Sequence, residues 1–443
     1  MAETRAFDPE FPAAPIKQRK NDPKRPRGSR QITNPLQRGI AEFIKTSISS
    51  SLLDQHDLSL EALVSSLPKR YTIYEPMLLL PLNAFTHPPA WGSLYERLGR
   101  DQRQTLYSSI TNSFARFGVT HIAMNAPIVL TDTEGHENRM RSPVGLVPLY
   151  GDFGPVVSGV DEDAQPSEDD YERAFWVRTV QNHGIVQIWA PLYTMFSRGN
   201  ITEKARILGY ASTFEGVDEA SLGGELVGDV AVVDMYAGIG YFVFSYLKRG
   251  VKRVLGWEIN GWSVEGLRRG CVENGWGCRV VKVRNDGQLS LSVSELVESL
   301  CDADRVVIFH GDNGFAAGIM NEIRVFMENN RRCWTSIRHV NLGLLPSSNA
   351  SWDNACKIVD KDKGGWIHVH ENVDVQLIQE KGAEITTAME RFWAGFASEK
   401  VDLNHHVECR HVEQVKTYAP GVMHCVYDIK LSSHHGASDS NSS

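Results

Sequence analysis

Residues 232–242 read VVDMYAGIGYF, which is a buried strand, an acid, a Gly-x-Gly turn and the start of a helix in direct succession. In open α/β sheets, ligands sit beyond the carboxyl ends of the strands, and glycines let the backbone approach them closely. Only Gly238 and Gly240 are present here, and Phe242 and Val243 stand where the dinucleotide fingerprint needs its third glycine. A pyrophosphate is therefore not the favoured guest. Asp234, at the end of the strand, would repel a phosphate but suits a cation.

The pattern downstream repeats the same unit. YFVFSYLKRG predicts a short helix ending at Gly250, RVLGWEIN a second strand and WSVEGLRRGCVENG a second helix, and DRVVIFHGDN, RHVNLGLL and GWIHVHENV supply three more buried strands. Strands alternating with helices imply a parallel sheet with crossover connections and helices on both faces. Glu258 ends the second strand, where it can accept two hydrogen bonds from ribose hydroxyls. Asp312 and Asn313, in the GDN that ends a later strand, can read an adenine amino group and ring edge. With Asp234 facing an ammonium or sulfonium, and Ala237, Gly238 and Gly240 forming the close turn, the set points to S-adenosylmethionine. Each acid taken alone is equally a helix cap or a turn residue; it is their order at successive strand ends that favours an adenosyl ligand.

Upstream the texture differs. Asn34–Pro35 marks a helix start, followed by apolar residues at helical spacing through Ile40, Phe43, Ile44 and Ile48. RDQRQTLYSSITNSFARFG reads as a helix closed by Gly118, THIAMNAPIVL as a strand, and FWVRTVQ with IVQIWA as a hairpin joined by NHG. The chain of 443 residues thus divides into a basic arm at 1–30, expected to be disordered, a mixed α+β domain at 31–195, a ligand-binding α/β domain at 196–432 and a disordered polar tail at 433–443. Within the arm, KQRKNDPKRPRGSR holds seven basic side chains against Asp22, while the whole chain carries a net charge of -8. Such a block has no apolar face to bury. It is a solvated tail, an RNA-steering arm or a nuclear-import signal. DEDAQPSEDD (161–170) also reads as a mobile acidic loop. The start MAETRAFDPEFP has no apolar core, and no run approaches the roughly 18 apolar residues of a membrane span. Seven scattered cysteines do not form a disulfide framework. A soluble, cytoplasmic, reduced protein is the expectation, with no membrane partner.

TMFSRGNITEKAR (194–206), VVDMYAGIGYF, HGDN (310–313), VNLGLLPSS (340–348), GGWIHVHENV (364–373) and VKTYAPGVMHCVYD (415–428) together resemble the tRNA wybutosine-synthesizing aminocarboxypropyltransferases, relatives of the tRNA guanine-37 N1-methyltransferases. LVSSLPKRYTIYEPMLLLP (63–81) resembles the amino-terminal part of eukaryotic members, so residues 31–195 are expected to be a tRNA-binding domain. The glycine turn is shared with many methyltransferases; MFSRGN with NLGLLPSS is far more specific. The resemblance implies a class I S-adenosylmethionine-dependent fold and transfer of the 3-amino-3-carboxypropyl group to C7 of 4-demethylwyosine at position 37 of phenylalanine tRNA, next to the anticodon. 5′-Methylthioadenosine is the expected leaving product, and the protein is expected to act as a monomer. Carried over by motif, Ser197, Lys204, Glu258, Asp312 and Asn313 are cofactor contacts. The sequence departs from the family at about 279–303, where a polar insert precedes DRVVIFHGDN.

NLGLLPSS raises a chemical question, because the strand end shows no titratable group. Amino-directed methyltransferases carry Asn-Pro-Pro-aromatic there to grip an attacking nitrogen. C7 of a fused, enamine-like ring supplies its own electrons, so Pro346, Ser347 and Ser348 need only position it. The same residues also suit a cap for the helix that follows. If Ser197 and Lys204 hold the cofactor's amino-acid end extended, its γ-methylene meets C7; alternatively Lys204 and Arg206 face RNA. HVH (368–370) and HHVECRH (405–411) contain ligand-type side chains without an evident convergent third member, and no metal is expected. Competing functions are guanine-37 N1-methylation and a non-catalytic RNA-binding module.

Overall fold

The computed structural model describes residues 33–49, 53, 59–125, 146–154, 165–181, 183–194, 196, 200–395 and 403–435. The basic arm and Ser197 therefore lie outside the described residues, as do the end of THIAMNAPIVL and the last eight residues of the chain.

In the first part, helix Pro35–Ser47 starts where Asn34 and Pro35 require: the Asn34 side chain accepts from the Gln37 amide, and Pro35 lacks only an N–H that the first turn leaves unused. Its face of Leu36, Ile40, Phe43 and Ile44 packs against Leu106, Ile110 and Phe114 of helix Arg100–Ser113 and its C-cap, which form one core with Trp91 and Leu94. Four short strands complete this part: β1 (Thr72–Tyr74), β2 (Met77–Leu80), β3 (His121–Met124) and β4 (Val147–Tyr150), in that spatial order. The expected hairpin follows as β5 (Val177–Gln181) and β6 (Ile185–Trp189), paired antiparallel. The hairpin leans on the second half of the chain, since the Asn274 side chain accepts from the Val186 amide at 2.9 Å and donates to the Val186 carbonyl at 2.7 Å.

The second part is an eight-stranded sheet in the order β13-β14-β12-β11-β7-β8-β10-β9. Its members are β7 (Val230–Asp234), β8 (Arg253–Glu258), β9 (Gly277–Lys282), β10 (Asp304–His310), β11 (Ser336–Leu342), β12 (Gly365–Asp374), β13 (Leu403–Ala419) and β14 (Val422–His435). From β9 to β12 every pairing is parallel, and β14 joins β12 antiparallel. All five residues of β7 are buried: Ala231 and Val233 face helices Ala316–Asn329 and Trp352–Ile358, whereas Val230 and Val232 face helices Val243–Arg249 and Gly261–Glu273. That two-sided burial explains why β7 reads as a continuous apolar run.

The polar insert at about 279–303 takes up most of β9, which lengthens the sheet, and adds helix Val293–Ser299, which Ser292 and Glu295 close with reciprocal capping bonds. The structure departs from two expectations. The acidic loop is helical over Glu168–Arg173, because Ser167 and Asp170 cap it in the same way. The polar tail begins later than 433, since β14 stays paired with β13 through His435. No helix among the described residues is long and apolar enough to cross a membrane.

Candidate active site

The carboxyl ends of β11, β7, β8 and β10 are adjacent in the sheet. They bring together Pro346–Ser348, Asp234, the glycine turn, Glu258 and Asp312–Asn313 along one edge. Gly238 and Gly240 have φ of 53° and 88°, a region that side chains rarely enter. A Cβ on Gly240 would stand 2.7 Å from Leu267 and Phe244, so the turn is folded onto its helices and opens only outward.

Glu258 braces this turn. One carboxylate oxygen accepts from the Gly238 amide and the other from the Asn260 amide, each at 2.8 Å. The Ile259 backbone N–H bears on the same carboxylate, which still keeps acceptor capacity for a further donor. Burial raises the carboxyl pKa, while the backbone N–H bonds lower it and leave a net upward shift. Asp234 is fully buried; its Oδ1 accepts from the Tyr236 amide and the Asn341 side chain, both at 3.2 Å, and its Oδ2 has no partner. Burial pushes its pKa up to about 7. A buried carboxylate oxygen without a donor is costly, and a cationic group approaching the turn would satisfy it.

Asp312 and Asn313 have structural roles as well. Asp312 accepts from the Gly314 amide, and the Asn313 side chain donates to the Met235 carbonyl at 2.7 Å, tying the end of β10 to that of β7. A cleft of about 660 Å³ opens beside them, lined by Ile259, His310, Gly311 and Asp312 on the sheet side and by Gln165 and Tyr171 opposite. The Gln165 side chain is bonded to the His310 ring and donates to the Ile259 carbonyl.

Lys204 and Arg206 are both buried, which removes the RNA-facing reading of the pair. Arg206 is bound by Glu203 and Asp428, and Asp428 also holds the His368 ring at 2.7 Å. Lys204 instead donates to the neutral Gln181 side chain at 3.2 Å and lies 5.1 Å from the centre of the Tyr241 ring, at the foot of the glycine turn. Among the described residues no carboxylate pairs with it, and burial lowers its pKa to about 8. The strand histidines are likewise engaged: His368 with His339 and Asp428, His370 with His424.

Sequence reasoning missed four contributors. Asn341 and Tyr236 hold Asp234 from the next strand and from the turn itself. Tyr236 also shares a 2.6 Å hydrogen bond with Ser351, anchoring the segment after Pro346–Ser348. Asn260 caps helix Gly261–Glu273. Glu371, on β12, accepts from the Ser347 hydroxyl at 2.7 Å and the Ser348 amide at 3.3 Å. Glu371 stood in the quoted HENV, but only the pairing of Leu342 with Val369 reveals which strand end it serves. Neither Ser348 nor Ser351 makes a side-chain capping bond, so the cap reading of that segment is not realised through them.

The residues fit an adenosyl sulfonium: a close turn that opens outward, an unpartnered buried carboxylate oxygen, a carboxylate at the neighbouring strand end and a buried cation. The tRNA wybutosine-synthesizing protein 2 of Schizosaccharomyces pombe is 39% identical over 365 residues, which cover 82% of this chain and 72% of that protein. The chain belongs to the tRNA wybutosine-synthesizing protein 2 family. The Saccharomyces cerevisiae member is 30% identical over 425 residues, covering 88% of this chain and 80% of that protein. A crystal structure of P. horikoshii TYW2 in complex with MeSAdo aligns with a TM-score of 0.48 and 19% identity, covering 89% of this chain and 99% of that one. No family model matches the chain.

Proposed function

We propose that this protein transfers the 3-amino-3-carboxypropyl group of S-adenosylmethionine to C7 of 4-demethylwyosine at position 37 of phenylalanine tRNA in wybutosine biosynthesis. The observation that carries the choice of group is Lys204, a buried cation beside the glycine turn that, among the described residues, has a neutral hydrogen-bond partner and an aromatic face but no carboxylate. A substrate carboxylate is its natural complement, and adenosine offers none. Bound S-adenosylmethionine supplies an electrophilic carbon beside a sulfonium.

The chain supplies the positions. Glu258 holds the ribose with its remaining acceptor capacity, Asp234 faces the cationic part of the ligand, and Asp312 and Asn313 border the adenine. Lys204, with Ser197 from the neighbouring segment, holds the amino-acid arm extended, so that the γ-methylene rather than the methyl faces the acceptor ring. Pro346, Ser347 and Ser348 hold that ring. Proximity then supplies most of the acceleration, because C7 needs no activation before it attacks. Residues 31–195 dock the anticodon loop, and the protein works as a cytoplasmic monomer.

The test is incubation with hypomodified phenylalanine tRNA and S-adenosylmethionine labelled in the carboxyl group, followed by nucleoside mass analysis. Label in the tRNA with release of methylthioadenosine is expected. Release of S-adenosylhomocysteine would make the protein a methyltransferase, and binding of tRNA without turnover would make it a silent module.

A further inference from the structure

The strand end of β11 carries no titratable side chain, yet the proposed reaction must dispose of a proton. C7 attacks the γ-carbon, the carbon–sulfur bond breaks and its electron pair stays on sulfur as methylthioadenosine. The ring is left with a positive charge and its original C7 hydrogen. That C–H bond must then break, its electron pair returning to the ring and its proton going to an acceptor.

Glu371 reaches this strand end from β12, which runs parallel to β11 with Leu342 beside Val369. It is buried, and among the described residues it forms no ion pair. An ionised carboxylate only accepts, so in the 2.7 Å contact the Ser347 hydroxyl hydrogen points at Glu371. The lone pairs of Ser347 Oγ are thereby turned away from Glu371, and one of them accepts from the Asn349 amide at 3.3 Å. The other is left as a proton acceptor at the edge where Asp234 and the glycine turn also end. The surrounding loop is fixed: the Pro346 carbonyl accepts from the Asn372 amide and Tyr236 holds Ser351. Burial raises the Glu371 pKa, against the bonds from Ser347 and Ser348 that lower it, which makes the carboxylate a better proton sink than an exposed one.

We propose that Ser347 and Glu371 form a proton relay: the Ser347 hydroxyl takes the proton leaving C7 and passes its own to the Glu371 carboxylate. Ser347 is the residue that touches the ring, and Glu371 acts through it. The relay balances, since one proton leaves carbon, one reaches the carboxyl group and the hydroxyl is regenerated. It rests on the proposed aminocarboxypropyl transfer, and it answers why this strand end can dispense with an acid or base of its own: the neighbouring strand provides one.

Glu371→Gln tests the relay because the amide oxygen still accepts from Ser347 while the group can no longer take a proton. Turnover should fall on the order of 100-fold, the lower range for removal of a general base, while calorimetric affinity for methylthioadenosine stays unchanged. With acceptor tRNA deuterated at C7, the variant should acquire a primary isotope effect on kcat that the parent lacks, because proton removal has become slow. Ser347→Ala should show the same effect. Full turnover in Glu371→Gln, or a fall in turnover that comes with weakened methylthioadenosine binding and no isotope effect, overturns the relay and leaves Glu371 as a brace for the loop. A parent protein that makes S-adenosylhomocysteine instead overturns the transfer itself, and the relay with it.

Discussion

Lys204, on helix Ile201–Ile207, and Asp234, at the end of β7, are buried groups of opposite type near the glycine turn, and burial moves both toward neutral pH. Burial lowers Lys204 to about 8 and raises Asp234 to about 7. As pH rises through about 8 the Lys204 cation is lost, so attraction for a carboxylate must weaken; Asp234, raised to about 7, ends its ionisation over the lower part of that rise and bears on the cationic part of the ligand, not on its carboxylate. S-adenosylmethionine affinity should therefore fall between about pH 7.5 and 9, whereas methylthioadenosine, which has no carboxylate, should bind equally across it. Calorimetry of both ligands reads the difference, and parallel curves would detach Lys204 from the amino-acid arm. Lys204→Ala should reproduce the selective weakening at neutral pH. Glu258 serves both ligands alike. Removing its charged acceptor in Glu258→Ala should weaken either one by about 1.5 to 3 kcal/mol, or roughly tenfold to 150-fold. Because Glu258 also braces Gly238 and Asn260, the measurement needs the melting temperature beside it; unchanged affinity would remove Glu258 from the site.

Between elements, a buried charged network joins helix Ile201–Ile207 to β12 and β14. Arg206 lies between Glu203 and Asp428, and Asp428 extends the chain to His368 and His339. Burial opposes ionisation of Asp428, but the His368 ring and the Arg206 guanidinium outweigh it and hold the carboxyl well below the usual carboxylate range. A depressed carboxyl contributes stability above its unfolded pKa of about 3.9 and loses it as pH falls toward the folded value. Asp428→Asn should thus destabilise at neutral pH, by less than the about 3 to 5 kcal/mol of a wholly unpaired buried charge because Glu203 still holds Arg206, and should flatten the decline of stability below pH ~4. Urea unfolding over a pH series decides it; a parent-like midpoint at pH 7 would show the network to be dispensable. Nothing in ITEKAR announces this role, since partners 222 residues apart meet only through the sheet. The same limit explains what the sequence left hidden elsewhere. The turn at Gly238 and the acids at Asp234 and Glu258 were legible because parallel strands buried on both faces write unbroken apolar runs that stop at their ligands. Strand β9 was not legible: five of its six residues are partly or fully exposed at a sheet edge, so no apolar run marks it. The β13–β14 pair was missed because β13 alternates charged and apolar residues as an edge strand must. Glu371 and Asn341 acquire their roles from register with a neighbouring strand, which no single strand encodes.

At the scale of the molecule the problem is charge. The chain carries 54 acidic against 46 Lys and Arg side chains, a net -8, yet the proposed acceptor is a polyanion. Seven of those basic side chains fall within residues 17–30 beside one acid, so the remainder of the chain is more acidic than the whole. A body of that sign repels tRNA at long range and can hold it only through locally placed cations. An arm with a dense positive charge reverses the sign of the approach, since each phosphate neutralised releases condensed counterions and association gains steeply at low salt. Deleting residues 1–30 should therefore weaken tRNA association and flatten its dependence on salt, by about 0.7 in the logarithmic slope for each single-stranded phosphate that the arm no longer neutralises. Methylthioadenosine affinity should not change, because the described partners of the turn at Gly238 and of Glu258 come from the α/β part of the chain. Filter binding over a salt series, with calorimetry of the same truncated protein, separates the two. An identical slope would assign the arm to the solvated-tail or import reading and place the phosphate-binding groups on the folded body. Arg97, Arg100, Arg103 and Arg116, which fall on or beside two consecutive helices of the first part, are then the cations to remove next.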